Sequence, residues 1–136
     1  MPAVDPTPAQ LQALAALADP PEPLVMLNLL RYHAEARYPD GFDAEPCSGR
    51  HAYRRYSGRA AGPLQSVGGE VRWAGEALLS VIAPEDEAWD EVLLVQYPSR
   101  AALLQMIALP DYQAALVHRR AAVRDSRLVA LQPFSL

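Results

Sequence analysis

The feature that most constrains this chain is the run Leu24-Val25-Met26-Leu27-Asn28-Leu29-Leu30. Prolines at positions 20, 21 and 23 stiffen the chain before it, and Arg31-Tyr32 follow it. A short apolar run bounded in this way reads as a β-strand. A strand with one face in water alternates apolar and polar residues, and this one does not. Val25, Leu27 and Leu29 point to one side, and Leu24, Met26 and Leu30 to the other. Both faces of the strand therefore need cover. Val92-Leu93-Leu94-Val95, ended by Pro98, repeats the pattern.

The remaining elements follow from local signals. Thr7-Pro8 caps a helix over residues 9–18, whose Leu11, Leu14 and Leu17 make a narrow stripe. Residues 33–47 read as a long loop. Ser48 caps a helix over residues 49–61, with Tyr53, Tyr56 and Ala60 on its inner side, and Gly62-Pro63 are expected to break or kink it. Residues 71–83 read as a long strand in which Gly75 marks a bulge or a close backbone approach. Ser99 caps a helix to residue 108, which restarts at Pro110 and continues to about residue 124. A last strand covers residues 127–132.

After the first helix the order is strand, helix, strand, strand, helix, strand. This predicts an α+β, ferredoxin-like βαββαβ sandwich with an extra N-terminal helix. Residues 1–23 form the helix and Pro-rich linker, and residues 24–136 the single domain. Two helices cover one face of such a sheet. The other face is covered either by the sheet of a second copy or by the N-terminal helix. The symmetric homodimer is the more economical of the two.

Composition narrows the function classes. All 12 basic side chains are arginine, against 16 acids, for a net charge of −4. Without lysine there is no Schiff-base nucleophile and no phosphate-loop lysine. One cysteine, Cys47, excludes an intrachain disulfide and a four-cysteine zinc site. The acidic balance argues against nucleic acid as a partner. No apolar stretch approaches the roughly 20 residues that span a bilayer, and no secretory signal pattern opens the chain, so a cytoplasmic protein is expected.

Arg119 carries the most chemical information. At 100° per residue, Tyr112, Ala115, Leu116, Arg119, Ala122 and Val123 share one helix face, so a charge sits within an apolar stripe. It reads either as a clamp for an anion or carbonyl, or as a structural ion pair to Glu76 or Asp90, or as a stem with its head in solvent. His118, at the edge of the stripe, is a candidate general base. Asn28 interrupts an apolar strand and would orient a carbonyl or oxyanion, or satisfy nearby backbone. Tyr53, Tyr56, Trp73 and Tyr112 supply core and candidate substrate-binding surface. His33, His51 and Cys47 match no metal-ligand spacing, so no metal is expected. Arg50, Arg54, Arg55 and Arg59 lie off the tyrosine stripe of their helix and read as a solvated face.

The segments Val25 to Tyr32, Gly68-Gly69-Glu70-Val71-Arg72-Trp73-Ala74-Gly75, Trp89-Asp90, Tyr97-Pro98-Ser99-Arg100-Ala101-Ala102 and Pro110-Asp111-Tyr112 through His118-Arg119 to Asp125-Ser126 form an ordered set. Together they resemble the domain-of-unknown-function 1330 family, a branch of the dimeric α+β-barrel superfamily. The resemblance runs from about residue 24 to 132 and implies a homodimer of ferredoxin-like units. It supplies no reaction, since related barrels include cofactor-independent monooxygenases, muconolactone-type isomerases and haem chlorite dismutases. The expectation is a small-molecule pocket rimmed by Asn28, Tyr56, Trp73 and Arg119. It would serve an enzyme that needs no bound cofactor and acts on a small aromatic or carbonyl compound. The alternatives are a non-catalytic binding module and a purely structural homodimer.

Overall fold

The computed structural model describes residues 1–136. Its elements are α1 (Pro8–Ala16), β1 (Leu24–Tyr32), α2 (Gly49–Ser66), β2 (Glu70–Glu76), β3 (Glu91–Tyr97), α3 (Arg100–Ala108), α4 (Pro110–Ala122) and β4 (Val123–Leu131). The strands form one antiparallel sheet in the order β2-β3-β1-β4, which is the ferredoxin-like arrangement. The run that opened the sequence is a central strand, with β3 on one side and β4 on the other.

Leu24, Met26 and Leu30 face the helices and are buried. Sealing a leucine such as Leu24 or Leu30 contributes about 2 kcal/mol. Two clusters result. One gathers Leu24, Met26, Tyr97, Leu103, Met106 and Tyr112, and the other Leu30, Tyr32, Tyr53, Ala122 and Val123. Tyr56 packs against both.

The register sets the opposite face. Leu27 pairs with Leu94 and Val129, Leu29 with Val92, Val25 with Leu131, and Trp73 with Leu94. Side chains in directly opposed pairs share a face, so these residues make a broad apolar surface. No helix lies across it. The three helices of the domain pack on the other side, and α1 rests beside α3 with Leu14 against the Leu24 cluster. The N-terminal helix is therefore not the cover for the outer face. Its start is held by a capping box, in which Thr7 Oγ1 accepts from the Gln10 amide and Gln10 Oε1 from the Thr7 amide.

Three boundaries differ from the sequence reading. Helix α2 runs through Gly62-Pro63 to Ser66. Pro63 stands within the last turn, so the helix loses a single hydrogen bond there while the ring is buried. It ends where Gly68, at φ 79°, adopts the left-handed conformation and the Gly69 amide reaches back to the Leu64 carbonyl at 2.9 Å. Strand β2 stops at Glu76 because β3 begins at Glu91, its pairing partner, and the apolar residues beyond it find no neighbouring strand. Helix α4 ends at Ala122, and Val123 turns directly into β4. The loop after β1 satisfies the last carbonyls of α4, with the His33 amide on Ala122 at 2.9 Å and the Arg37 amide on Ala121 at 2.8 Å.

Candidate functional site

Tyrosines line the seam between the two core clusters. The Tyr53 and Tyr56 rings lie 5.1 Å apart, and Tyr56 meets Tyr112 edge-on with their hydroxyls 2.8 Å apart. The spacing 53, 56 on α2 and position 112 on α4 bring the three together because α2 and α4 pack side by side. Tyr53 is only 5% exposed, and its hydroxyl makes no hydrogen bond to a side chain. Burial pushes the Tyr53 pKa up to about 12, with the nearby Arg119 charge working in the opposite direction. Burial likewise raises Tyr56 well above the ordinary phenol value. These phenols are neutral donors at physiological pH. Asn28 stands on the helix side of β1 between Met26 and Leu30, with Nδ2 donating to the Met26 carbonyl at 3.3 Å.

Arg119 belongs to this region but does not pair with Glu76 or Asp90. Its guanidinium donates to the Val4 carbonyl at 2.5 Å and to Ser126 Oγ at 3.4 Å. Ser126 Oγ in turn donates to the Ala3 carbonyl, Asp125 accepts from the Ala3 amide, and Arg120 pairs with Asp5. Asp90 serves another purpose, accepting from the Tyr32 amide at 2.7 Å. The N-terminal segment thus supplies the oxygen that the sequence reading sought in a carboxylate.

His118 sits in a different cluster, beneath the 33–47 loop. Its Nδ1 is 2.7 Å from the Tyr38 hydroxyl, Arg55 donates to the same hydroxyl at 3.1 Å, and Tyr38 stacks on Phe42 at 5.4 Å. Arg55 donates to the Tyr38 oxygen, which leaves the Tyr38 proton available to Nδ1, and the direction of that bond follows the His118 tautomer. Burial first, then the charges of Arg59 and Arg55, hold its pKa below the ordinary 6.5. As pH falls below 6.5 the unfolded chain takes up this proton before the folded one, so the contribution of neutral His118 is full above 6.5 and is lost on acidification. Thermal unfolding between about pH 5 and 7 should show a steeper acid loss for the native chain than for His118→Gln. Equal slopes would remove His118 from this role.

Glu91 organises the arginines of α2. Its carboxylate, with the side chain 12% exposed, receives both terminal nitrogens of Arg54, Nη1 of Arg50 and the Tyr32 hydroxyl at 2.6 Å. Burial would raise its pKa, but the hydrogen bonds from Arg54 and Tyr32 and the Arg50 charge bring it below the usual value. With Arg55 on Tyr38 and the Glu45 carbonyl, three of the four helix arginines are held by this chain itself.

A family model described as Domain of unknown function (DUF1330) matches residues 47–132. The chain belongs to this family. Among solved structures, a protein of unknown function from Rhodopseudomonas palustris is similar to the DUF1330 chain at 39% identity and a TM-score of 0.90, covering 100% of both chains. A NIPSNAP domain protein from Burkholderia xenovorans shares its fold at 14% identity and a TM-score of 0.53, over 82% of this chain and 95% of the other. A hydroxynitrile lyase from Passiflora edulis does so at 14% identity and a TM-score of 0.50, over 82% and 94%. No curated protein matches the chain.

Within the DUF1330 chain the candidate residues divide into separate groups. Tyr53, Tyr56 and Tyr112 come together, Arg119 reaches to Val4 and Ser126 with its charge acting on Tyr53 and Tyr56, and His118 is turned to Tyr38. Trp73 requires correction as a rim residue. It pairs with Leu94 on the outer face, is 55% exposed, and lays its ring over Gly75, where an added Cβ would meet it at 2.2 Å. Gly75 is thus the close approach, and the bulge falls between Val71 and Trp73. Two open clefts of about 370 and 520 Å³ share His33, Ala34 and Arg37, the larger adding Pro2 and Arg124. None of the sequence-derived site residues lines either cleft. No three metal-ligating side chains stand together, and no helix is long and apolar enough to cross a membrane. Glu91 was missed in the sequence because it continues the acidic stretch from Glu85. The available signal was the Arg50–Arg54 pair at i, i+4.

Proposed function

We propose that this DUF1330 chain is a homodimeric protein that binds a small aromatic or carbonyl compound between its sheet and the α2–α4 pair. The observation that carries the reading is the Tyr53 hydroxyl, set in a residue 5% exposed and without a side-chain partner. No protein group accepts its proton, so the hydroxyl is free to donate to an acceptor on a ligand, a hydrogen bond worth about 1 kcal/mol. Tyr56 and Tyr112 provide aromatic walls, and Arg119 contributes positive charge nearby. A fold neighbour is a lyase, so this architecture accommodates enzymes, but the reading for this chain is binding first, with catalysis as its extension.

The test uses Tyr53→Phe, which removes one oxygen and preserves shape. Ligand-observed NMR against a panel of small phenols, benzoates and aryl ketones should find binders to the native chain, weakened about tenfold by the substitution. Absence of any binder at millimolar concentration, or equal affinity of the variant, would overturn the reading. The homodimer half rests on the uncovered apolar sheet face. Light scattering at micromolar concentration should give twice the 14.9 kDa chain mass, and a monomer would refute it.

A further inference from the structure

The segment between β2 and β3 is fixed at both ends and free in the middle. The Ala77 amide donates to the Asp90 carbonyl at 2.9 Å, and the Asp90 amide to the Leu30 carbonyl at 2.7 Å, so the roots are tied to each other and to β1. On the return side Trp89 lies 5.4 Å from the Arg127 guanidinium, which anchors that limb to β4. The outgoing limb has no such anchor. Leu78 is 93% exposed, Leu79 79%, Val81 83% and Ile82 97%. Four large aliphatic side chains among five consecutive residues stand in solvent.

Scattered exposed leucines need no explanation, but a contiguous apolar group does. These residues also carry the strand-like pattern that the sequence shows through residue 83, with no strand in this chain to pair with it. The same molecule presents an uncovered apolar sheet face made of Val25, Leu27, Leu29, Val92, Leu94 and Trp73. One chain therefore owns both an unpartnered arm and an unpartnered surface, and a two-fold symmetric exchange satisfies both at once.

We propose that residues 78–83 form an exchange arm that lies across the outer sheet face of a second copy of this chain. This rests on the homodimer reading and adds to it the element that locks the two copies. Removal of one aliphatic side chain from water buries on the order of 100 Å², so the four arm residues supply on the order of 400 Å² from each copy. That is about half of the roughly 800 Å² per partner that a stable interface requires. The sheet faces provide the remainder. The tied roots present the arm in a fixed direction, which lowers the ordering cost of docking it.

The experiment is sedimentation equilibrium with light scattering on the full native chain and on Leu79→Ser/Ile82→Ser. Leu78→Ser serves as a milder second variant, and far-UV circular dichroism reports retention of fold. Both positions of the double variant are solvent-exposed within the single chain, so folding is expected to survive. The expected result is a native dimer whose dissociation constant rises at least about 100-fold in the double variant and by a smaller factor in Leu78→Ser. A native dimer that both variants leave unchanged overturns the arm while the homodimer reading stands. A native chain that is monomeric overturns both.

Discussion

Alanine at position 49 is expected to destabilise the chain by more than about 3 kcal/mol, read as a large fall in the urea midpoint or as loss of folded protein. Gly49 opens α2 at the point where the exit of β1 and the end of α4 converge. A Cβ there would stand 2.2 Å from the His33 carbonyl oxygen and 2.8 Å from that of Ala122. Both atoms are backbone, so no rotamer can move aside. Relieving the clash means breaking the bond from the Gly49 amide to the His33 carbonyl, at 3.1 Å, or that from the His33 amide to the Ala122 carbonyl, at 2.9 Å. The same helix contains its own control. Gly58 has nothing within 4 Å of an added Cβ, and alanine there should stabilise by about 0.5–1 kcal/mol through helix propensity. A Gly49→Ala midpoint within error of the native chain would sink the junction argument.

Glu91→Gln is the second large effect, expected at about 2 kcal/mol by chemical denaturation near neutral pH. The substitution keeps the volume and removes the charge on which Arg50, Arg54 and Tyr32 converge. Truncation to alanine should cost more, because it leaves the Tyr32 hydroxyl and two guanidinium groups without their acceptor. The pH dependence has a definite sign. Glu91 titrates below its ordinary 4.5 in the folded chain, so its contribution is complete above that value and disappears as pH falls through the lower folded one. The native chain should therefore lose stability on acidification across this window faster than Glu91→Gln. Parallel curves would show that the carboxylate is not held as described.

The central strands were legible because an apolar run without alternation has few solutions in a chain of this length, and the order of elements then specified the ferredoxin-like sheet. Residues 77–83 were over-read for an instructive reason. Apolar pattern reports a demand for cover, and only a neighbouring strand turns that demand into sheet, which β3 ceases to offer beyond Glu76. Pro63 was over-weighted because its cost depends on distance from the helix end, and that distance was set by Gly68. For the site, periodicity found Arg119 within its apolar stripe and the tyrosines beside it. It could not name Val4 as the partner, since a backbone carbonyl 115 residues away leaves no trace in composition or spacing. His118 was similarly visible as a histidine on a flank, whereas Tyr38 and Arg55 reached it through a loop whose path no local signal specified.

The division of the core has a consequence for how the molecule opens. The Leu24 and Leu30 ends of β1 anchor separate sets of buried side chains, and Tyr56 packs against both. Each end can then fray with limited loss of contacts at the other, which is the arrangement that yields distinct subglobal units in native-state hydrogen exchange. Amides of α1 and α3 belong to one such unit, and those flanking Tyr32 and Val123 to the other. The tyrosine that joins them couples their protection, so shortening Tyr56 to leucine should separate the two opening free energies further.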